Sequence, residues 1–412
     1  MTYSPHYAKF FSMKLFIFLT ALLLTLTSCS SQREAKFNFD LSEETWMSQV
    51  QTAPIGWTRN ADAWFLSGDA HIVEMPPYAT PINATRINAG FFNNIVSTGD
   101  FRVQIYSSPA ANSIYIYGPA AGVRDTLITT KGHTLYLTQR PKASPTIRNV
   151  IIRIGVNQLN RLVQQGRGVV EGMRLDSSCL SVTSTAGSIY LDGHLNVTSI
   201  RNYGFGQISI FGANTPRLDI ATMNRGAVNV IGNIGVRTIV HHGCNNINII
   251  GANSDGLRIL ADGTGTIGIN GTVNLCEVNA KGSMRIFVLK TLGARLHVRV
   301  DENVCIGLAG AVHNFYVDAY HRAFVAASRL CSDNAYVNAH DSAHVNVSAS
   351  QEMFATADGS SSVYFYGPPS VLSRFTSDSG FVMQMCSGKS FCAAAVALPP
   401  PVLPPLMLKG AG

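Results

Sequence analysis

Two columns of apolar residues recur every 18–20 positions through the middle of this chain, and few folds accept such a pattern. The first column runs Val182, Ile200, Ile220, Ile239, Ile259, Val278, Val298, Val317, Val337 and Ala355. The second runs Ile189, Ile208, Val228, Ile247, Ile267, Ile286, Ile306, Val325, Val345 and Val363. The two keep step over about ten turns. One unit of this length cannot bury its own apolar edge, so it folds only by stacking on its neighbours. Each column also supplies inward pairs two residues apart, as strands require, for example Leu218/Ile220 with Val228/Val230. The fold class is therefore all-β: a parallel β-helix, or β-solenoid, of about ten 19–20-residue coils after a small β-rich N-terminal region. At ~4.8 Å per coil the stack predicts a rod of roughly 45–50 Å.

Glycine closes many second strands (Gly193, Gly212, Gly232, Gly251, Gly271, Gly310, Gly367), where a sharp bend needs free φ. A third, weaker corner follows, at Leu195, Ile234, Val273, Leu292, Val312 and Leu330. Thr198 and Arg237 stand where apolar residues are expected, which predicts local bulges. No asparagine ladder of the leucine-rich-repeat kind is present. Asp262-Gly263-Thr264-Gly265 is a single echo of a calcium β-roll, too little for a metal site.

The other segments carry different signals. Lys14 precedes an apolar run, Leu15 to Leu26, that is shorter than the ~20 residues of a membrane span and suits a secretory signal. Met13-Lys14 makes a more typical opening for such a signal than Met1. The expected organisation is a signal peptide over 1–28, a tether and irregular Trp/Pro-rich segment over 29–83, and a β-hairpin-rich cap over 84–148. The solenoid follows over 149–385, then a Cys- and Pro-rich tail over 386–412. Residues 126–137 read as a hairpin about Gly132. Eight cysteines show no C-x-x-C spacing, and Cys386 and Cys392 are close enough in sequence to bridge in an oxidising compartment. No metal or cofactor is implied. The 31 basic and 24 acidic residues leave a charge of +7 with no Lys/Arg block, which argues against nucleic acid as a partner.

The register also sorts side chains into inside and outside. The outward column of the first strand contains Asp219, Arg258 and Glu277, then an aromatic stripe of His297, Tyr316, Tyr336 and Phe354. Asp219 and Glu277 are three coils apart, roughly 14 Å at ~4.8 Å per coil. Paired glycosidase carboxylates need ~5–9.5 Å, so the rival reading, a polysaccharide-active β-helix enzyme, loses its acid pair. Arg258 is placed to neutralise Glu277. The aromatic stripe fits either a binding surface for glycan or protein, or plain cross-strand stacking, and stacking is favoured. Asn229 and Asn248 are expected to form an amide ladder, and Asp262/Lys281/Asp301 a solvated charge ladder.

Two motifs carry a resemblance. Leu26-Thr27-Ser28-Cys29 resembles the lipobox of bacterial lipoproteins, which implies cleavage before Cys29 and lipid on its sulfur. Ser30 then implies sorting to the outer membrane, on its periplasmic face or the cell surface. The hairpins of 84–140, the junction Ile147–Leu162 and the coil Asp358-Gly359-Ser360-Ser361-Ser362-Val363-Tyr364-Phe365-Tyr366-Gly367-Pro368 resemble the auto-transporter adhesin head, or GIN, domain family, with Ser361 and Ser362 replacing a usual Gly-Asp. The resemblance spans roughly 84–385 and brings no catalytic residues. It implies a surface or periplasmic β-solenoid. The anchor, the long rod and the missing catalytic constellation add the expectation of an adhesin-like binding or scaffolding module that does not catalyse. Its partners would be the membrane, through the lipid, and a glycan or a surface protein. A purely structural envelope role is the other alternative.

Overall fold

A computed structural model describes residues 57–60, 63–66, 85–108 and 112–385. The expected signal peptide, the expected lipidation site Cys29, the expected Cys386–Cys392 bridge and the proline tail lie outside the described residues. β1 (Trp57–Asn60) and β2 (Ala63–Leu66) form an antiparallel hairpin. All the later strands belong to one continuous sheet, wound as a β-solenoid of about 12 turns.

The winding is clearest from β11 (Val169–Ser184) through β12 (Ser188–Asn202), β13 (Ile208–Thr222) and β14 (Val228–Gly243) to β15 (Asn246–Val300). It continues in β16 (Cys305–Ala319), β17 (Phe324–Ala339) and β18 (His344–Ala357). Each is long because it turns corners without losing its ladder, and each pairs in parallel with the next. Both sequence columns are vertical in the structure. Val182 pairs with Ile200, then Ile220, Ile239 and Ile259. Ile189 pairs with Ile208, then Val228 and Ile247. These side chains are almost fully buried, and each contributes ~1.5–3 kcal/mol relative to exposure. The third corner is buried as well, except Leu292, where Thr291 takes the inner place.

The two odd residues are bulges. Leu180 pairs with Val197 and Ser181 with Ser199, so Thr198 is the extra residue. Leu218 pairs with Val236 and Asp219 with Thr238, so Arg237 is extra and points outward. Val197 and Val236 fill the inward positions. Glycine ends the second strands for two reasons at once. Gly251 has φ +85°, and a Cβ there would stand 1.9 Å from the Gly232 carbonyl oxygen one rung away.

The N-terminal region is built differently from the expected cap. It comprises β3 (Thr85–Ile87), β4 (Asn94–Ser97), β5 (Arg102–Ser107), β6 (Ser113–Tyr117), β7 (Thr126–Lys131), β8 (Thr134–Gln139), β9 (Ile151–Val156) and β10 (Arg161–Gln164). β4 and β5 are themselves a rung, parallel to β10 and β11. β8 and β9 form a further rung on the other side of β4 and β5. The chain therefore lays down the second rung, then the first, then the third. The expected boundary at 149 does not separate cap from solenoid, because the parallel stack already holds 94–107 and 134–139. The cap proper is smaller. β7 closes the edge of β8 through the expected hairpin, and β6 followed by β3 closes the edge of β9, all antiparallel. A short helix, Ala120–Asp125, links these capping strands.

At the far end, β19 (Ser362–Tyr366), β20 (Val371–Thr376) and β21 (Phe381–Met385) add to the ladder. β20 pairs in parallel with β18, and β21 with β19. Residues 366–385 thus form another rung and do not fold across the end as a cap. The first column finishes on Arg374, which pairs with Ala355 and whose guanidinium donates to the Val382 carbonyl at 3.5 Å. A charge there discourages a further rung.

The corner between the two strands of a coil has two designs. In the early coils, a buried polar column of Gln164, Ser184, Asn202, Thr222 and His241 feeds glycine-rich turns. Gln164 Nε2 donates to the Gly166 carbonyl at 2.9 Å, Ser184 Oγ to Gly187 at 2.6 Å, and Asn202 Nδ2 to Gly206 at 2.8 Å. In the late coils the same column is Ala319, Ala339 and Ala357. There the turn is made by one left-handed residue, Glu302, His321, Asp341 or Gly359, with φ between 58° and 64°.

Candidate binding surface

The sequence-derived stripe exists as one stacked column. The ring centroids of His297 and Tyr316 are 4.5 Å apart, with planes 5° from parallel. Tyr316 and Tyr336 are 4.9 Å apart, and Tyr336 and Phe354 5.3 Å. Parallel register places the same position of successive rungs in direct line, so the rings stack along the ladder. The Arg295 guanidinium lies 5.8 Å from the Tyr316 ring centre, and Tyr336 Oη donates to Glu352 Oε2 at 3.2 Å. Burial and the neighbouring Glu352 carboxylate both push the Tyr336 phenol up.

Two more stacks run beside it. Tyr320 and His340 stand 4.9 Å apart at the corner, with Arg299 over Tyr320. Phe324 and His344 stand 5.0 Å apart, and His344 continues to Tyr364 and Phe381. Burial pulls the His344 imidazole down. Between the first two stacks, Asn338 donates to Asp318 at 2.8 Å and accepts from Thr356 at 2.8 Å. The face over residues 297–381 is therefore broad and layered, with aromatic edges alternating with polar ladders. The Phe324/His344/Tyr364 stack lies just before or in the second strand. Its 20-residue steps were the signal that could have found it.

Stacking has a chemical consequence. Tyr316 and Tyr336 each have a neighbouring ring against both faces. A sugar that packs flat on an aromatic ring needs a free face, and only the two end rings of the column have one. The stripe presents ring edges, two phenol oxygens and an imidazole.

The carboxylates stay apart. Asp219 is held by Arg237, whose Nε donates to Oδ1 at 2.7 Å. Glu277 faces Arg258 at 4.0 Å, as expected, and both are exposed. The amide ladder forms, with Asn248 Nδ2 donating to Asn229 Oδ1 at 3.0 Å. The charge ladder is paired otherwise than expected: Lys281 meets Glu302 at 3.4 Å, and Asp301 meets His321 at 2.6 Å. Cys331 is disulfide-bonded, while Cys179, Cys244 and Cys276 are free thiols. Among the described residues, no group of three His, Cys, Asp or Glu side chains could hold a metal, and no helix is long and apolar enough to cross a membrane.

Fold and surface together define an all-β solenoid protein whose conspicuous outer feature is a laddered aromatic face. A family model described as "Putative auto-transporter adhesin, head GIN domain" matches residues 91–290 and 276–369. The chain belongs to this family. No curated protein matches it. Among solved structures, one titled a putative lipid binding protein from Parabacteroides distasonis is 14% identical, with a TM-score of 0.25, covering 74% of this chain and 96% of its own. A putative adhesin from Bacteroides fragilis is 12% identical, with a TM-score of 0.22, covering 73% of this chain and 96% of its own. Another putative adhesin, from Parabacteroides merdae, is 11% identical, with a TM-score of 0.22, covering 74% and 95%.

Proposed function

We propose that this protein is a lipid-anchored, adhesin-like module of the cell envelope that binds a partner along the outer face of residues 297–381 and performs no catalysis. The lipobox at Cys29 supports the anchor, and the family supports the adhesive role. The observation that carries the reading is the stacked column of His297, Tyr316, Tyr336 and Phe354. It is a rigid surface whose side chains are held in place before any partner arrives, so little ordering entropy opposes binding. Because the inner ring faces are covered, the partner it suits is a surface protein that contacts ring edges and hydroxyls, in preference to a stacked glycan.

Whole-cell pull-down and a glycan array with a form released from its lipid test this. The expected result is capture of a surface protein that Tyr316→Ser/Tyr336→Ser weakens. Retention of sugars alone would move the assignment to a glycan, and no ligand in either assay would remove the adhesive role. Cys29→Ser is expected to abolish labelling by radioactive palmitate. Protease added to intact cells is expected to cut the chain, and full protection would place it on the periplasmic side.

A further inference from the structure

A hollow of about 640 Å³ opens at the strand-to-strand corner of the first three rungs. Three short segments, superposed by stacking, build its wall. Arg148, Asn149 and Ile151 come from the first rung, Asp100 to Arg102 from the second, and Arg167 to Val169 from the third. The register fixes this superposition, because Ile151 pairs with Arg102 and Arg102 with Val169. Each segment contributes one arginine. The inverted rung order is what gathers them: in sequence Arg102, Arg148 and Arg167 are far apart.

The three are not equivalent. Arg102 Nη2 lies 2.8 Å from Glu171 Oε1, so one of its faces is already engaged. Arg148 and Arg167 have no side-chain partner among the described residues. Asp100 is the one carboxylate in the wall, and its Oδ1 accepts the Arg167 backbone N–H at 3.0 Å. With Arg102 already paired to Glu171 and one carboxylate, Asp100, in the wall, the unpaired positive charge comes from Arg148 and Arg167. The backbone is tightly placed. A Cβ on Gly168 would stand 2.0 Å from the Phe101 carbonyl oxygen, and one on Gly166 2.2 Å from that of Gly99. Arg167 is the single side chain that this crowded turn can carry, and it is held by its own N–H. The Asp100 N–H is fixed in turn by Gln139 Oε1 at 3.0 Å.

A guanidinium fork pairs bidentately with carboxylate and phosphate alike. Several arginines around one concave wall, however, suit a group that offers three or more oxygens, as phosphate and sulfate do, over a single carboxylate or a neutral group. We propose that this hollow binds phosphate or sulfate groups, gripped by Arg148 and Arg167, with Arg102 shared between the anion and Glu171. Free phosphate, a sulfated or phosphorylated sugar and a lipid headgroup all carry that chemistry. The site lies on different rungs from the aromatic face and does not depend on it.

Calorimetry on the full chain in non-ionic detergent at low salt tests the site. The probes are inorganic pyrophosphate, a polysulfated disaccharide and phosphatidylglycerol dispersed in the same detergent micelles. Saturable binding of at least one is expected, and the tightest of the three names the source. Arg148→Gln/Arg167→Gln is expected to weaken it by ~10-fold or more, the loss of charge-assisted hydrogen bonds. Arg217→Gln/Arg225→Gln removes the same charge elsewhere and is expected to leave binding within ~2-fold, since distant exposed charges are screened. Glu171→Gln releases Arg102 and is expected to tighten binding. No saturable binding by any probe, or equal losses in the two double variants, overturns the proposal. If Arg148→Gln/Arg167→Gln does not fold, Glu171→Gln decides, and failure to tighten overturns it.

Discussion

His321 Nδ1 lies 2.6 Å from Asp301 Oδ1 on the neighbouring rung, so an imidazole and a carboxylate share a hydrogen bond across the solenoid corner. The bond to Asp301 raises the His321 pKa from its ordinary 6.5, with help from the nearby Asp341 and Glu302 charges. Burial pushes the Asp301 carboxyl up, but the His321 ring, the Glu302 N–H and Lys281 together hold it below its ordinary range. A raised histidine stabilises the fold fully below 6.5, and that contribution is lost as pH rises through its folded value. An NMR titration should find His321 above 6.5, and Asp301→Asn should bring it back. Urea midpoints that fall no further with rising pH in the native chain than in Asp301→Asn would refute the coupling.

His241 has the opposite sign. Its ring is fully buried, with Nε2 2.9 Å from the Thr264 carbonyl and Nδ1 3.0 Å from Thr222 Oγ1. A carbonyl only accepts, so Nε2 carries the proton and Nδ1 accepts from the Thr222 hydroxyl. Burial lowers the pKa from 6.5. Stability from this group is complete above 6.5 and is lost as pH falls towards the depressed folded value. His241→Ala removes two hydrogen bonds, each worth ~0.5–1.5 kcal/mol, and should cost ~1–3 kcal/mol at neutral pH. It should also flatten the acid side of the stability curve, measured by urea unfolding at several pH values.

Gly251 separates backbone need from chance. Gly251→Ala places a side chain at φ +85° and into the Gly232 carbonyl. The left-handed conformation alone costs ~1–2 kcal/mol, and the collision adds to it. At Gly256 the nearest atom to a new Cβ is Cys276 Sγ, 3.8 Å away. Gly256→Ala is expected to change the thermal midpoint little or raise it, and similar losses at both sites would contradict the corner account.

Tyr336 tests how much of the aromatic column is structural. Tyr336→Ala removes two stacked contacts, each worth ~0.5–1.5 kcal/mol beyond buried area. Tyr336→Phe keeps both and loses only the bond to Glu352. Chemical denaturation should therefore rank alanine well below phenylalanine. Equal stability in the two would mean that the stack contributes nothing.

Much of this was readable from spacing. The columns at Val182 and Ile189, the bulges at Thr198 and Arg237, the closing glycines and the aromatic stripe all followed from one period, since a parallel ladder converts sequence spacing directly into vertical alignment. The pairing of Lys281 with Glu302 escaped that logic. A left-handed turn residue redirects its side chain, and strand periodicity does not describe turns. The buried polar column from Gln164 to His241 escaped it too, because polar residues within an apolar period look like outward positions until their carbonyl partners are known.

By itself, the sequence determined the coil, its length and the two faces of every strand, because those depend on residues within one or two periods of each other. Only the tertiary structure decided that β8 and β9 slide in below β4 and β5, so that Arg102, Arg148 and Arg167 meet at one corner. Strand order at the end of a ladder is a choice among nearly equivalent edges. In the structure the antiparallel strands β6 and β7 cover the edges of β9 and β8, and no local pattern in the sequence records that choice.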